Sequence, residues 1–173
     1  MATSTADRDD RLLLGAVAFF TVAVILHGAD HARRGFDVLS GQVYWLATAA
    51  MVLEVGVVVL ACRRHRLAPL AAVVAGVELA VGYLVVHFLP ARSWFSDSFP
   101  SLHVGLLTWA AGGVEVASAL VLVGVGLVVL RHRGGRNPTT PPRPLSAGLT
   151  HPVALAMIAG NIVLLAISVV QRA

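Results

Sequence analysis

Three glutamates and an asparagine stand where polar side chains are costly. Glu54, Glu78 and Glu115 each lie inside a long apolar run, and Asn161 holds a similar place in another. A charged group at the centre of a bilayer costs at least about 2.5–3.5 kcal/mol. Three carboxylates at matching depth should therefore turn inward and share partners. Burial favours the neutral acid, and a second carboxylate nearby favours it further. At least one of the three is expected to be protonated at neutral pH. Such groups can pass protons or cations, or serve as a general acid. Hydrogen bonding that only ties helices together is the structural alternative for the same four residues.

A second set of polar residues gathers at one end of the apolar runs. His27, His31, His87 and His103 fall there, with Asp30 and Asp97 beside them. His27 and His31 share a helix face if the helix continues through Ala29 and Asp30. Imidazole and carboxylate together suit Cu, Zn or Fe, so all six residues are candidate metal ligands. His27 and His87, at one depth on opposing helices, are also candidate axial ligands of a haem. The alternative is that each histidine bonds a helix-end carbonyl or a lipid headgroup. The His-x-x-x-His segment holds Gly28-Ala29-Asp30, not the glutamate of the zinc protease signature. Cys62 is the only cysteine, which excludes an internal disulfide and a thiolate-rich metal site. Glu78 and His87 are nine residues apart, about 180° around an ideal helix and roughly 13 Å along it. The glutamate and histidine layers are expected to be separate unless the helix bends near Gly82.

The elements that must position these residues are membrane helices. The chain is 57% hydrophobic and only 13% charged, with a mean hydropathy of +0.81, far from a soluble domain. Five runs are long enough to cross a hydrocarbon core of about 30 Å: 12–28, 43–62, 67–89, 104–130 and 152–170. The fold class is thus all-α, a polytopic bundle of five transmembrane helices. The expected order is a polar tail (1–11), a four-span region (12–133), a Pro-rich linker (134–150) and a fifth helix (151–173). The first run, preceded by Arg8 and Arg11, could instead be the core of a signal peptide, but Asp7, Asp9 and Asp10 dilute that charge.

Two stretches match each other. His27 and His87 each end an apolar run, 60 residues apart (27 to 87), and Ala-Ala-x-x-x-Glu-Val recurs with its glutamates 61 apart (54 to 115). Near-equal offsets suggest a tandem repeat of a two-helix hairpin. Chance is the alternative in a chain so rich in Ala, Val, Leu and Gly.

All 13 basic residues are arginine. Nine of them (8, 11, 63, 64, 66, 131, 133, 136 and 143) fall on the side of the N-terminus. By the positive-inside bias that side is cytoplasmic, in a cell (inner) membrane. The basic balance therefore reports orientation and not nucleic-acid binding. The expected partner is the lipid bilayer, with a second copy or another membrane protein as further candidates. Trp94, Phe95 and Phe99 are expected in an aromatic belt at the outer interface. Three functions fit these residues. One is transport or redox through an outer histidine metal or haem site and a glutamate relay. Another is acid–base catalysis on a lipophilic substrate, and the third is a structural or accessory role.

Overall fold

The computed structural model describes residues 5–90, 96–133 and 144–172. All regular elements among them are helical. Five helices are long and apolar enough to cross a membrane. They are α1 (Thr5–Arg34), α2 (Gly41–Cys62), α3 (Ala68–Tyr83, continued by a π-helical turn Leu84–Phe88), α5 (Leu106–Arg133) and α7 (Pro152–Arg172). Two short helices, α4 (Phe99–Leu102) and α6 (Leu145–Leu149), sit in the connections.

Local chemistry places several boundaries. Ser40 starts α2 by accepting a hydrogen bond from the Val43 amide through its side chain, and Ser98 starts α4 in the same way. Pro69 and Pro152 occupy first turns of α3 and α7, where a missing amide hydrogen costs nothing. α1 begins earlier than the apolar pattern predicts, because its first two turns have partners. Asp9 is buried against His132 at 2.9 Å, and Asp10 pairs with Arg133 at 2.6 Å and Arg64 at 3.4 Å. Residues 5–11 are therefore helix and not a polar tail. At 30 residues, α1 is about 45 Å long, so both its charged ends project beyond a hydrocarbon core of about 30 Å.

Part of the predicted linker is also structured. Leu145–Leu149 forms α6, and Gly148 sits tightly against the Arg63 side chain. Residues 134–143 of that linker, like Arg92, Trp94 and Phe95, lie outside the described residues. Phe99 is not in an aromatic belt. It is fully buried, stacked on the His87 ring and edge-on to Trp109.

The helix nearest to α3 is α5. Gly76 faces the Ala119 carbonyl, and Gly126 faces the Pro69 carbonyl; a Cβ at either glycine would come within 2.8 Å of that oxygen. Small residues let backbones approach where lipid offers no hydrophobic drive. α2 packs more loosely, touching α1, α3 and α7. The two hairpins of the suggested repeat thus differ in internal packing, although Glu54 and Glu115 are both buried in the bundle. The half of the bundle nearer the N-terminus is a solid apolar core that includes Leu13, Val17, Phe20, Val58, Cys62 and Ala72. The three buried histidines, Glu54, Glu115 and Asn161 lie in the other half.

Candidate functional site

Three histidines meet at the end of the bundle away from the N-terminus. His27 and His31 extend one turn apart from α1, and His87 comes across from the π-helical turn of α3. All three are buried, and each offers a ligand atom within 4.8 Å of the others. The Nε2 atoms of His27 and His31 are 2.9 Å apart. His87 reaches this point because of the π turn, closed by the Leu89 amide donating to the Leu84 carbonyl at 3.3 Å. A turn widened in this way lags behind the 100° advance of an α-helix. His87 therefore does not end up opposite Glu78, and both residues border one cavity.

The far side of each ring faces a carboxylate. His27 Nδ1 lies 3.4 Å from Glu115, His87 Nδ1 3.4 Å from Asp97, and His31 Nδ1 3.8 Å from Asp97. Histidine metal ligands usually carry such a partner on the second ring nitrogen, which orients the ring and raises its basicity. The expected separation of histidine and glutamate layers does not hold, since Glu115 on α5 reaches the depth of His27.

Proton positions follow from groups that can act in only one way. His87 Nδ1 lies 3.2 Å from the Asp97 carbonyl, so it carries hydrogen, and in the neutral ring Nε2 is the free nitrogen. Arg34 Nη2 donates to His31 Nδ1 at 2.9 Å, because a guanidinium cannot accept. A neutral His31 then has its hydrogen on Nε2 and donates to His27 Nε2, which leaves hydrogen on His27 Nδ1, toward Glu115. Arg34, His31 and His27 thus form a directed chain whose last hydrogen points toward Glu115, 3.4 Å away. A metal held by these histidines would displace the proton shared by the two Nε2 atoms; His31 would then carry its hydrogen on Nδ1, toward Asp97, and Arg34 would have to release that nitrogen.

Asp30 and Asp97 are buried but bind arginine. Asp30 accepts from Arg33 at 2.7 Å, Arg34 at 3.1 Å and Thr108 at 3.1 Å. Asp97 accepts from Arg34 at 2.8 Å. Burial alone would push the Asp97 carboxyl up; hydrogen bonds from His87 and Arg34 outweigh it and hold the group well below the ordinary carboxylate range. Asp97 therefore stands behind His87 and His31, and Asp30 reaches them only through Arg34. His103 stands apart, exposed and left-handed (φ 50°) at the end of α4. Its predicted place among the ligands is corrected by that turn, which carries it away from the group.

Next to the histidines is a cavity of about 350 Å³, bordered by α1, α2, α3, α5 and α7. Glu54, Glu78, Glu115 and Asn161 all border it. Glu54 Oε1 accepts from the Tyr83 hydroxyl at 2.7 Å. Four buried polar atoms in its wall have no hydrogen bond: His27 Nδ1, Glu54 Oε2, Glu115 Oε2 and Asn161 Oδ1. Buried polar atoms are rarely left this way unless a ligand, ion or water completes them. Glu78 departs from the inward-facing expectation, since it is exposed at the cavity rim. Leu46 (51% exposed) and Leu165 (39% exposed) also border the cavity, so it opens sideways, at membrane depth, beside α2.

Tyr83 and Arg34 are the functional candidates that the sequence reasoning missed. Arg34 carried a signal: an Arg33-Arg34 pair on the arginine-poor side of the chain, with Asp30 one turn before it, needs a local electrostatic reason. Comparison with family models, with curated proteins and with solved structures finds no match. The site's own chemistry carries the functional argument.

Proposed function

We propose that this chain is a multi-pass membrane metalloprotein. Its His27–His31–His87 centre binds one first-row transition ion and acts on a lipophilic molecule held in the adjoining cavity. The carrying observation is the convergence of three buried imidazoles, each with a carboxylate behind its Nδ1. Three nitrogen donors without a thiolate suit Cu, Zn or Fe. A three-histidine set also leaves a coordination position open, as catalytic metal sites require. Bound there, the ion would supply Lewis-acid or redox chemistry. Glu54 with Tyr83, and Glu115, would hold or deliver protons on the cavity side. Asn161 would orient the molecule.

A bis-histidine haem fits less well. The His27 and His87 ring centroids are 4.8 Å apart, which leaves no space for a macrocycle between them. Ion passage through the whole bundle is also disfavoured, because the apolar core closes the half nearer the N-terminus. The arginine distribution supports a cytoplasmic N-terminus, which places the histidine centre toward the outer face of the cell membrane.

Metal analysis of the purified protein, equilibrated in turn with Zn, Cu and Fe salts and then desalted, tests the proposal. About one equivalent of one metal is expected in the native protein, and its loss in His31→Ala and His87→Ala. Retention by both variants, or no metal bound by folded native protein, would rule the centre out.

A further inference from the structure

We infer that the cavity recognises an amphiphilic primary amine, with its ammonium group among the carboxylates and its hydrocarbon chain in the opening beside α2. The inference deepens the reading of the cavity as a substrate site and names the class of molecule. It comes from counting donors against acceptors. The Asn161 side-chain amide donates to the Met157 carbonyl at 3.0 Å, so the atom left over is the acceptor Oδ1. The Tyr83 hydroxyl is committed to Glu54 Oε1, so the atom left over there is Oε2. Glu115 Oε2 adds a further oxygen with no hydrogen bond, with His27 Nδ1 the nearest donor at 3.4 Å. Glu78 brings a fourth acidic or amide group to the rim, and among the described residues no arginine borders the cavity.

An entering amine takes the proton of the Glu54 or Glu115 carboxyl, so that the wall then offers acceptors and negative charge with few donors, inside an otherwise apolar opening. An ammonium group supplies three donors and a compensating charge. A neutral alcohol supplies one donor and no charge, and a carboxylate or phosphate headgroup would be repelled. The opening passes Leu46 and Leu165 at membrane depth, so the chain of the ligand can remain among lipid tails while its head is held inside. A water-soluble polyamine would have no counterpart for that apolar mouth.

The experiment is equilibrium binding of radiolabelled decylamine to the full-length, EDTA-treated protein in lipid nanodiscs, measured against empty nanodiscs. Saturable binding is expected. Unlabelled decylamine should compete, and decanol and decanoate should compete at least roughly tenfold more weakly, the worth of a charge-assisted hydrogen bond. Glu54→Gln/Glu115→Gln should bind decylamine at least roughly tenfold more weakly. Glu78→Gln, at an exposed position, should weaken it by a smaller factor. Equal competition by decanol, or unchanged affinity in the folded double variant, overturns the inference. Should the double variant not fold, the decanol comparison decides: at least roughly tenfold weaker competition by decanol supports the inference and equal competition overturns it. Because the protein is metal-free, failure of metal binding leaves this measurement standing, and loss of amine preference leaves the metal result standing.

Discussion

Asp97 links two of the three histidines to the loop before α5, and most of what the site can do depends on that link. The carboxylate faces His87 and receives Arg34, and it lies 3.8 Å from His31 Nδ1, where it would accept a hydrogen were a metal bound by His31. Asp97→Asn should therefore lower metal affinity roughly 10–100-fold, the range for an outer partner of a ligand, with little loss of helix content. Competition against a chelator of known affinity measures it. The same substitution makes a pH prediction. The Asp97 carboxyl is depressed by His87 and Arg34, so its ionised form stabilises the fold at neutral pH. That stabilisation is fully present above the unfolded value of about 3.9 and is lost as pH falls below it. Thermal unfolding from pH 6 to 3 should decline more steeply for the native protein than for the Asn variant. At this scale the grouping of His27, His31 and His87 was legible, because i,i+4 spacing and matched helix ends are sequence properties. The positions of Glu78 and His103 were not. Depth along a helix says nothing about the face it presents in a uniformly apolar span, and a left-handed residue after Pro100-Ser101-Leu102 has no glycine to announce it.

Helices were the most legible elements, since apolar runs of span length admit few other structures, and the five observed spans overlie the five predicted ones. The π turn in α3 was not legible in the same way. Leu84–Phe88 reads as an ordinary continuation of the run, and its widened turn is fixed by contacts beyond the helix: the Asp97 amide donates to the Val86 carbonyl at 3.0 Å, and Ser96 Oγ donates to it at 3.3 Å. The bend suspected near Gly82 lies within a few residues of the true irregularity, for the reason that glycine lowers the cost of departing from α geometry. The α3–α5 pair is the rigid frame on which this turn is mounted. Gly76→Val or Gly126→Val would drive a branched side chain against a facing backbone carbonyl, which cannot move as a side-chain tip can. Each should destabilise the protein by about 1–3 kcal/mol. Gly56→Val, on α2 where an added Cβ meets nothing within 4 Å, should be nearly neutral. Unfolding of the detergent-solubilised protein by increasing SDS distinguishes the three.

The whole molecule is polarised along the membrane normal. One half holds His27, His31, His87, the membrane glutamates and the cavity; the other is packed with apolar side chains and ends in the ion pairs of Asp9 with His132 and Asp10 with Arg133 and Arg64. Those pairs fasten the start of α1 to the ends of α5 and α2, so the closed half is held at its rim as well as through its core. Glu54 borders the cavity on one side and is backed by the packed residues Val57, Val58, Ala61 and Cys62 on the other. Transport and cavity chemistry predict opposite results here. If the glutamates formed a relay across the bilayer, reconstituted protein would collapse an imposed pH gradient, and Glu54→Gln or Glu115→Gln would stop the leak. If they serve a one-sided site, proteoliposomes should hold the gradient as well as empty liposomes, and the Gln variants should change nothing in that assay. The second outcome is expected, with an internal pH dye as the readout. A leak abolished by either Gln variant would show that protons cross the apolar core and would reinstate transport as the function of the carboxylates.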